Sequence, residues 1–256
     1  MEPILEVKGL SIAFQQYDAG TRQRRLPVIR DLSLTVGAGQ VVAVVGSSGS
    51  GKSLLAHGIL GILPYNAAME GEIRYDGELL TPERVEALRG REIVLVPQGV
   101  TYLDPLMKVG PQIRRGKRSP EARAKSRSVL ERYGLGAETE ELYPFELSGG
   151  MARRVLISTA VMETPRLVIA DEPTPGLDAR AAGRILGHFR EIADAGAGML
   201  LITHDLELAL TIADRVVVFY AGETVEEADA ADFAAGRLRH PYTRALWRAL
   251  PQNGFM

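Results

Sequence analysis

The chain has 256 residues, of which 46% are hydrophobic and 24% charged, a composition typical of soluble globular proteins. This length suits one large α/β domain, and the composition excludes a disordered or collagen-like chain. Thirty basic and thirty-two acidic side chains leave a net charge of −2, which provides no overall field to attract nucleic acid. The absence of cysteine excludes disulfides and thiolate metal sites and fits a reducing compartment.

The chain starts without the basic residues and apolar run of a secretory signal. Its apolar stretches are far shorter than the roughly 20 residues that cross a bilayer. We therefore expect a cytoplasmic protein that reaches a membrane only through a partner.

The first third of the chain predicts strands around one glycine-rich turn. Apolar and polar residues alternate over Ile4–Phe14 and Val28–Val36, which predicts half-exposed strands, and the polar segment Tyr17–Pro27 predicts a loop between them. The β-branched run Val41–Val45 is typical of a strand buried on both faces of a parallel sheet. A helix is predicted to follow at Lys52–Ile62.

The middle of the chain changes from strands to helices. Gly71–Leu80 predicts a hairpin with Asp-Gly at its turn, and Ile93–Val96 predicts another buried strand. Strand signals are then missing from Gln98 to about Met162, where charged helical stretches such as Ser119–Tyr133 predominate. We predict a helical lobe inserted into the sheet domain.

Strand signals return in the last third. Leu167–Ala170, Met199–Thr203 and Val216–Tyr220 predict strands, and Asp178–Ala195 predicts a long helix after the first of them. A strand, helix, strand order favours parallel pairing in a doubly wound α/β sheet.

The segment GSSGSGKS matches the phosphate-loop pattern and lies between a predicted buried strand and a predicted helix. Glycines let backbone N–H groups wrap around phosphates, the lysine reaches the β- and γ-phosphates, and the last serine ligates Mg²⁺. The flanking elements disfavour a chance glycine-rich turn. The expected nucleotide-binding residues are Gly46, Ser47, Ser48, Gly49, Ser50, Gly51, Lys52 and Ser53.

The apolar strand RLVIADE ends in two carboxylates, about 120 residues after the phosphate loop. Asp171 is expected to hold Mg²⁺ directly or through water. Glu172 is expected to polarise the attacking water as a general base.

The segment LSGGM at Leu147–Met151 resembles the signature motif of ABC ATPases. Ser148 is suited to cap the helix that starts there, and Gly149 and Gly150 leave backbone N–H groups bare for a γ-phosphate. Its position shortly before the acidic strand distinguishes the chain from other phosphate-loop enzymes, such as kinases and GTPases.

Other features of that family follow in order, and the resemblance implies their roles. Gln98 resembles the Q-loop glutamine, which senses Mg²⁺ and the γ-phosphate. Asp178 ends a segment similar to the D-loop, and His204 resembles the switch histidine that contacts the γ-phosphate. The family stacks adenine on an aromatic side chain before the phosphate loop, for which Phe14 is the first candidate and Tyr17 the second.

The resemblance implies a P-loop NTPase core of the RecA-like type, with an N-terminal antiparallel β subdomain and an inserted helical lobe. The core is expected at residues 1–97 and 163–238, the lobe at 98–162 and a C-terminal helical extension at 239–256.

The resemblance also implies assembly. Two ATPase subunits, identical or different, are expected to bind ATP and Mg²⁺ head to tail, so that Ser148 completes the partner's site. The dimer would act at the cytoplasmic face of the inner membrane, on two transmembrane permease subunits supplied by an extracytoplasmic binding protein. A nucleic-acid partner is not expected.

Three segments resemble the peptide and nickel importer branch of the family: Leu103–Ile113, Tyr143–Met151 and His240–Pro251. The sequence around Tyr143 and the final segment Leu250–Phe255 look most similar to those of nickel or metallophore ATPases. Nickel or metal uptake is therefore the first expectation. The alternatives are a di- or oligopeptide importer, an ABC ATPase that acts outside transport, and a nucleotide-binding scaffold without turnover.

Departures from the family pattern are few. Gly99-Val100 follows Gln98 where Asp-Pro is common, and Met151-Ala152-Arg153 replaces a more glutamine-rich run. These differences bear on coupling rather than on hydrolysis. The basic stretch Arg114–Arg127 is expected to be a solvated helix face, with contact to a permease or to lipid as the alternative.

Overall fold

A computed structural model of the chain describes residues 3–17, 23–47 and 49–250. The strands and helices follow one another as β1 (Leu5–Tyr17), β2 (Gln23–Val36), β3 (Val41–Val45), α1 (Lys52–Ile59), β4 (Ala67–Tyr75), β5 (Glu78–Leu79), α2 (Pro82–Leu88), β6 (Ile93–Val96), α3 (Val109–Ile113), α4 (Pro120–Arg132), α5 (Gly149–Val161), β7 (Leu167–Asp171), α6 (Ala179–Asp194), β8 (Gly198–Thr203), α7 (Leu206–Leu210), β9 (Arg215–Tyr220), β10 (Glu223–Asp229), α8 (Ala230–Ala234) and α9 (Pro241–Arg248).

Six strands form the central sheet in the order β10-β9-β3-β8-β7-β6. All neighbours pair in parallel except β9 and β10, which are antiparallel. The predicted parallel sheet is therefore confirmed. The edge strand β10 was not predicted, because its acid-rich sequence ETVEEAD lacks the apolar signal of a strand.

Both faces of the central sheet are buried, as the β-branched run of β3 predicts. Val41, Ala43 and Val45 pack in one core with residues of α6, whereas Val42 and Val44 pack in a second core with residues of α1 and of the N-terminal strands. Alternate residues of one strand therefore anchor two layers. This packing fixes the end of β3, where the phosphate loop begins.

The second sheet has the order β2-β1-β4-β5 and is antiparallel throughout. The predicted loop at Tyr17–Pro27 is wrong in part, since β1 includes Tyr17 and β2 begins at Gln23, while residues 18–22 lie outside the described residues. Gln16 pairs with Arg24 in this extension. Backbone pairing extends the strands here without the apolar alternation on which the sequence prediction depended.

Helix α1 ends three residues earlier than predicted. Gly61 has φ 62°, the N–H of Ile62 donates to the carbonyl of His57, and the N–H of Gly61 donates to the carbonyl of Gly58. A glycine in the left-handed conformation closes the helix with these two bonds.

Between β6 and β7 the described chain forms helices and short turns without strands, and it has a core of its own that includes Val109, Leu130 and Val155. The boundaries of this helical lobe at 98 and 162 stay a prediction. The expected solvated basic face is wrong for Arg114. This side chain is buried, and its Nη1 lies 2.6 Å from Oε1 of the buried Glu140 carboxylate.

Helix α9 packs on the main core through its apolar residues Leu246 and Trp247. The Glu226 carboxylate of β10 accepts hydrogen bonds from the N–H groups of Arg239 and His240, at the start of this helix. Residues 251–256, which contain part of the nickel-type ending, lie outside the described residues. Within the described ranges, no helix is both long and apolar enough to span a membrane.

Candidate active site

The candidate site lies at the carboxyl edge of the central sheet. Val45 pairs with Thr203, and Asp171 pairs with Ile202, so β3, β7 and β8 end side by side. Because parallel strands share this edge, the phosphate loop and the residues after β7 and β8 meet there. A cleft of about 330 Å³ opens at this point, and the described residues lining it are Val28, Gly49, Gly51, Lys52, Ser53, Leu54, Gln98 and Glu172.

Two glycines fix the shape of the phosphate loop. A Cβ on Gly46 would lie 2.1 Å from the carbonyl oxygen of Phe219, so the loop passes too close to β9 for any side chain. Gly51 has φ 96°, and a Cβ there would lie 2.8 Å from Cγ1 of Val28. Glycine is thus needed at Gly51 for its conformation and for its contact with β2.

Lys52 begins α1 and points back into the loop. Its Nζ donates to the carbonyl oxygens of Gly46 and Ser47, both at 2.8 Å, and only 6% of the residue is exposed. Burial lowers the pKa of Lys52, and the nearby charges of Glu172 and Asp171 partly offset this shift. The lysine is therefore held beside two carboxylates in a pocket built from carbonyl groups.

Asp171 is the last residue of β7 and is 3% exposed. Burial raises the pKa of its carboxyl group, and a hydrogen bond with Ser53 partly offsets this shift. Its Oδ1 has no hydrogen-bond partner among the described residues. A buried, unpartnered carboxylate oxygen next to a serine hydroxyl fits a hard divalent cation such as Mg²⁺.

Glu172 follows β7 in the left-handed conformation, with φ 47°. Its Oε1 lies 2.8 Å from Nδ1 of His204, and its Oε2 accepts a hydrogen bond of 3.2 Å from Oγ1 of Thr203. Only 6% of Glu172 is exposed, yet this residue lines the cleft. Two neighbours therefore orient a largely buried carboxylate at the phosphate-loop cleft, as a general base requires.

The site also includes residues that the sequence did not single out. Thr203 orients the carboxylate of Glu172, and Val28 reaches the loop from a different sheet. A Thr immediately before the switch-type histidine was visible in the sequence, but its partner was not. The contact between Val28 and Gly51 depends on how the two sheets pack, for which the local sequence holds no signal.

The signature-like segment lies elsewhere. The side chain of Ser148 accepts a hydrogen bond of 3.3 Å from the N–H of Met151, which confirms its expected role as the cap of α5. Ser148 and Gly149 are exposed, and neither they nor Gly150 are among the described residues lining the cleft. Gly150 instead lies near Leu177 and Gly176, in the segment that resembles the D-loop.

The remaining predicted residues fall into three groups. Asp178 is exposed and caps α6 through a hydrogen bond of 2.8 Å from the N–H of Ala181. Phe14 is half-buried on β1, while the side chain of Tyr17 lies outside the described residues, so both stay candidates for stacking on adenine. Ser48 also lies outside the described residues.

A phosphate loop after a buried parallel strand, with two acidic residues at the end of another strand of the same sheet, defines a P-loop nucleotide-binding protein. Residues 29–175 match the ABC transporter family. The chain belongs to this family, as an ATP-binding subunit that hydrolyses ATP.

Two curated relatives carry oligopeptide names. The oligopeptide transport ATP-binding protein OppD of Lactococcus lactis is 39% identical over 264 residues, which cover 98% of this chain and 76% of the relative. OppD of Bacillus subtilis is 37% identical over 264 residues, which cover 97% of this chain and 72% of the relative. The first expectation of nickel transport finds no support in these relatives, whereas the peptide alternative does.

A solved structure has the same fold. It is a dimeric ATP-binding cassette in a post-hydrolysis state, bound to ADP and Pi, with 25% identity and a TM-score of 0.76. The match covers 88% of this chain and 98% of that chain. The expected ABC ATPase fold, with its parallel core and antiparallel subdomain, is thereby confirmed.

Proposed function

We propose that this chain is the ATP-hydrolysing subunit of a peptide importer and acts at the cytoplasmic face of the membrane, bound to separate permease subunits. The observation that carries the ATPase part is the meeting of Lys52, Asp171 and Glu172 at one edge of the central sheet. The names of the relatives support the peptide part. Nickel uptake stays the competing proposal.

The loop and the polar residues of the site have proposed roles. The N–H groups of the loop residues and the Lys52 ammonium bind the phosphates of ATP. Ser53 and Asp171 are the residues that would hold Mg²⁺, and Gln98 reaches the same cleft from the end of β6. When bound, Mg²⁺ neutralises charge on the β- and γ-phosphates.

Glu172 is the proposed general base. Its carboxylate accepts a proton from the attacking water, while His204 and Thr203 hold its two oxygens in a fixed orientation. His204 is half-exposed beside the cleft, a position from which it can also contact the γ-phosphate.

We further propose that the segment from Ser148 to Gly150 completes the site of a second ATPase subunit. Ser148 and Gly149 are exposed at the start of the 13-residue helix α5, and the segment is not among the described residues that line the cleft of its own chain. Apart from its neighbours in the helix, no atom of the described residues would lie within 4 Å of a Cβ on Gly149. The N-terminus of α5 would then favour a phosphate bound by the partner. The dimeric state of the solved relative supports this arrangement.

Uptake in cells tests the substrate class. A strain carrying Glu172→Gln at the native locus is compared with a strain carrying Glu191→Gln, which changes an exposed glutamate that pairs with Arg132 away from the cleft. We expect uptake of labelled di- and oligopeptides to fall at least about tenfold in the first strain only, because turnover needs the general base. Nickel accumulation is expected to stay unchanged in both.

Loss of nickel accumulation alone would overturn the peptide assignment and support the nickel alternative. Unchanged uptake of both substrates in the Glu172→Gln strain would overturn the importer role itself.

A further inference from the structure

Arg153 is a buried cation that the roles above leave unexplained. It lies in the second turn of α5, five residues after the cap Ser148, and the residue is 8% exposed. A buried arginine is rare unless charged or polar partners compensate it. Its partners are therefore informative.

The Arg153 guanidinium joins two strand ends that are distant in sequence. Its Nη1 donates to the carbonyl oxygen of Pro97 at 3.1 Å and to the carbonyl oxygen of Glu172 at 3.3 Å. Pro97 follows β6 and immediately precedes Gln98, whereas Glu172 follows β7. One side chain of the helical lobe thus contacts the backbone of Glu172 and the backbone immediately before Gln98, the two proposed cleft residues that follow these strands.

The bond to Glu172 falls at a constrained point of the backbone. Glu172 has φ 47°, a conformation that residues other than glycine, Asn and Asp adopt rarely. Its N–H donates to the carbonyl of Ile202 at 2.8 Å, and its carbonyl accepts from Arg153. The two bonds hold both sides of the residue in this conformation and so set the direction in which the carboxylate leaves the backbone.

The positive charge of Arg153 also interacts with the carboxylates of Asp171 and Glu172. Burial lowers the pKa of the guanidinium, and the nearby carboxylates of Asp171 and Glu172 partly offset this shift. Arginine keeps its proton in proteins, so a positive charge stays next to the two acids. Lys52 supplies a second cation to the same pair of acids, from the phosphate loop.

We propose that Arg153 is a positioning residue, which ties the signature helix of the lobe to the backbone of the general base Glu172 and of the segment that carries Gln98. It does not contact the substrate. Movement of α5 against the sheet would shift both carbonyl groups together, so the position of the lobe would govern the orientation of Glu172. This inference rests on the proposed role of Glu172.

Steady-state hydrolysis and nucleotide binding of purified full-length variants test the proposal. Arg153→Met keeps an apolar stem without donors, whereas Arg153→Lys keeps the positive charge and replaces the planar guanidinium donors with the N–H donors of an ammonium group. Arg132→Gln is the matched control, because Arg132 also joins the lobe to the core, through Glu191 of α6, but at the exposed surface.

We expect kcat to fall about 10- to 100-fold in Arg153→Met, since small displacements of a catalytic group have effects of this size. The affinity for a fluorescent ATP analogue should stay within about threefold of the parent, because Arg153 lies outside the phosphate loop. Arg153→Lys should recover at least about a third of the lost rate on a logarithmic scale. Arg132→Gln should match the parent in both quantities.

A double variant separates positioning from general loss of structure. If Arg153 acts through Glu172, Arg153→Met should change the single-turnover rate of a Glu172→Gln protein by less than about threefold, because effects of residues that act as a unit do not add. Full additivity would overturn the proposal, and so would an unchanged kcat in Arg153→Met. Normal turnover in Glu172→Gln alone would instead overturn the proposed catalytic role, whatever Arg153 does.

Discussion

Glu172→Gln is expected to lower kcat for ATP hydrolysis by about 10²- to 10⁴-fold, which is the range that general bases contribute. Glutamine has nearly the shape of glutamate but cannot accept a proton from water at neutral pH. Its amide oxygen can still accept the hydrogen bond of Thr203, so the fold of the site should persist. The affinity for ATP should stay within about threefold, because the phosphate loop is untouched.

The rate of phosphate release by the purified protein, together with titration of a fluorescent ATP analogue, gives both quantities. Glu191→Gln is the matched control, since it makes the same chemical change at an exposed carboxylate paired with Arg132. Retention of more than about half of the parent rate in Glu172→Gln would remove Glu172 from the role of general base.

The second large effect is expected at Gly51. Gly51→Ala should reduce ATP affinity at least about tenfold, for two reasons. Its φ of 96° is costly for any residue with a side chain, by about 1–3 kcal/mol, and the new Cβ would lie 2.8 Å from Cγ1 of Val28. The loop must shift to relieve both, which moves its N–H groups away from the phosphates.

Two companion variants divide this effect into its parts. Gly49 has φ 78°, and no atom of the described residues lies within 4 Å of a Cβ placed there. Gly49→Ala should therefore carry backbone strain without the clash and lose less affinity. Val28→Ala combined with Gly51→Ala removes Cγ1 and should recover part of the lost affinity. Isothermal titration measures the ATP affinity of the parent and of these three variants. Parent-like affinity in Gly51→Ala would show that the contact with β2 does not shape the loop.

The buried strands and the chemical motifs could be predicted from the sequence, because their signals are local. Val41–Val45 and Ile93–Val96 have the bounds that their apolar runs predict. Asp171 ends a buried strand, and Glu172 and His204 each follow one directly. The parallel order of these strands brings the three residues to one edge. The roles assigned to these residues stay proposals.

What the sequence could not show are contacts that join distant segments. Arg114 belongs to a basic run typical of a solvated face, yet its side chain is buried and forms an ion pair with the buried Glu140. Arg153 lies 56 residues from Pro97 in the chain and donates to its carbonyl. Nothing in the local pattern of α5 distinguishes this buried side chain from that of the adjacent Arg154, which is half-buried. The acid-rich β10 was missed for a related reason, since its pairing with β9 stabilises it more than its own composition does.

The central claim is that two ATPase subunits enclose ATP between the cleft of one and the Ser148 segment of the other. Sedimentation velocity of Glu172→Gln under saturating Mg-ATP tests it most directly, because the variant binds ATP without consuming it. We predict a dimer with Mg-ATP, a monomer with Mg-ADP, and loss of the ATP-dependent dimer when Ser148→Arg is added, since a long cation would fill the space of the γ-phosphate contact. A monomer under saturating Mg-ATP, alone and with an equimolar amount of the cognate second ATPase subunit, would contradict the account.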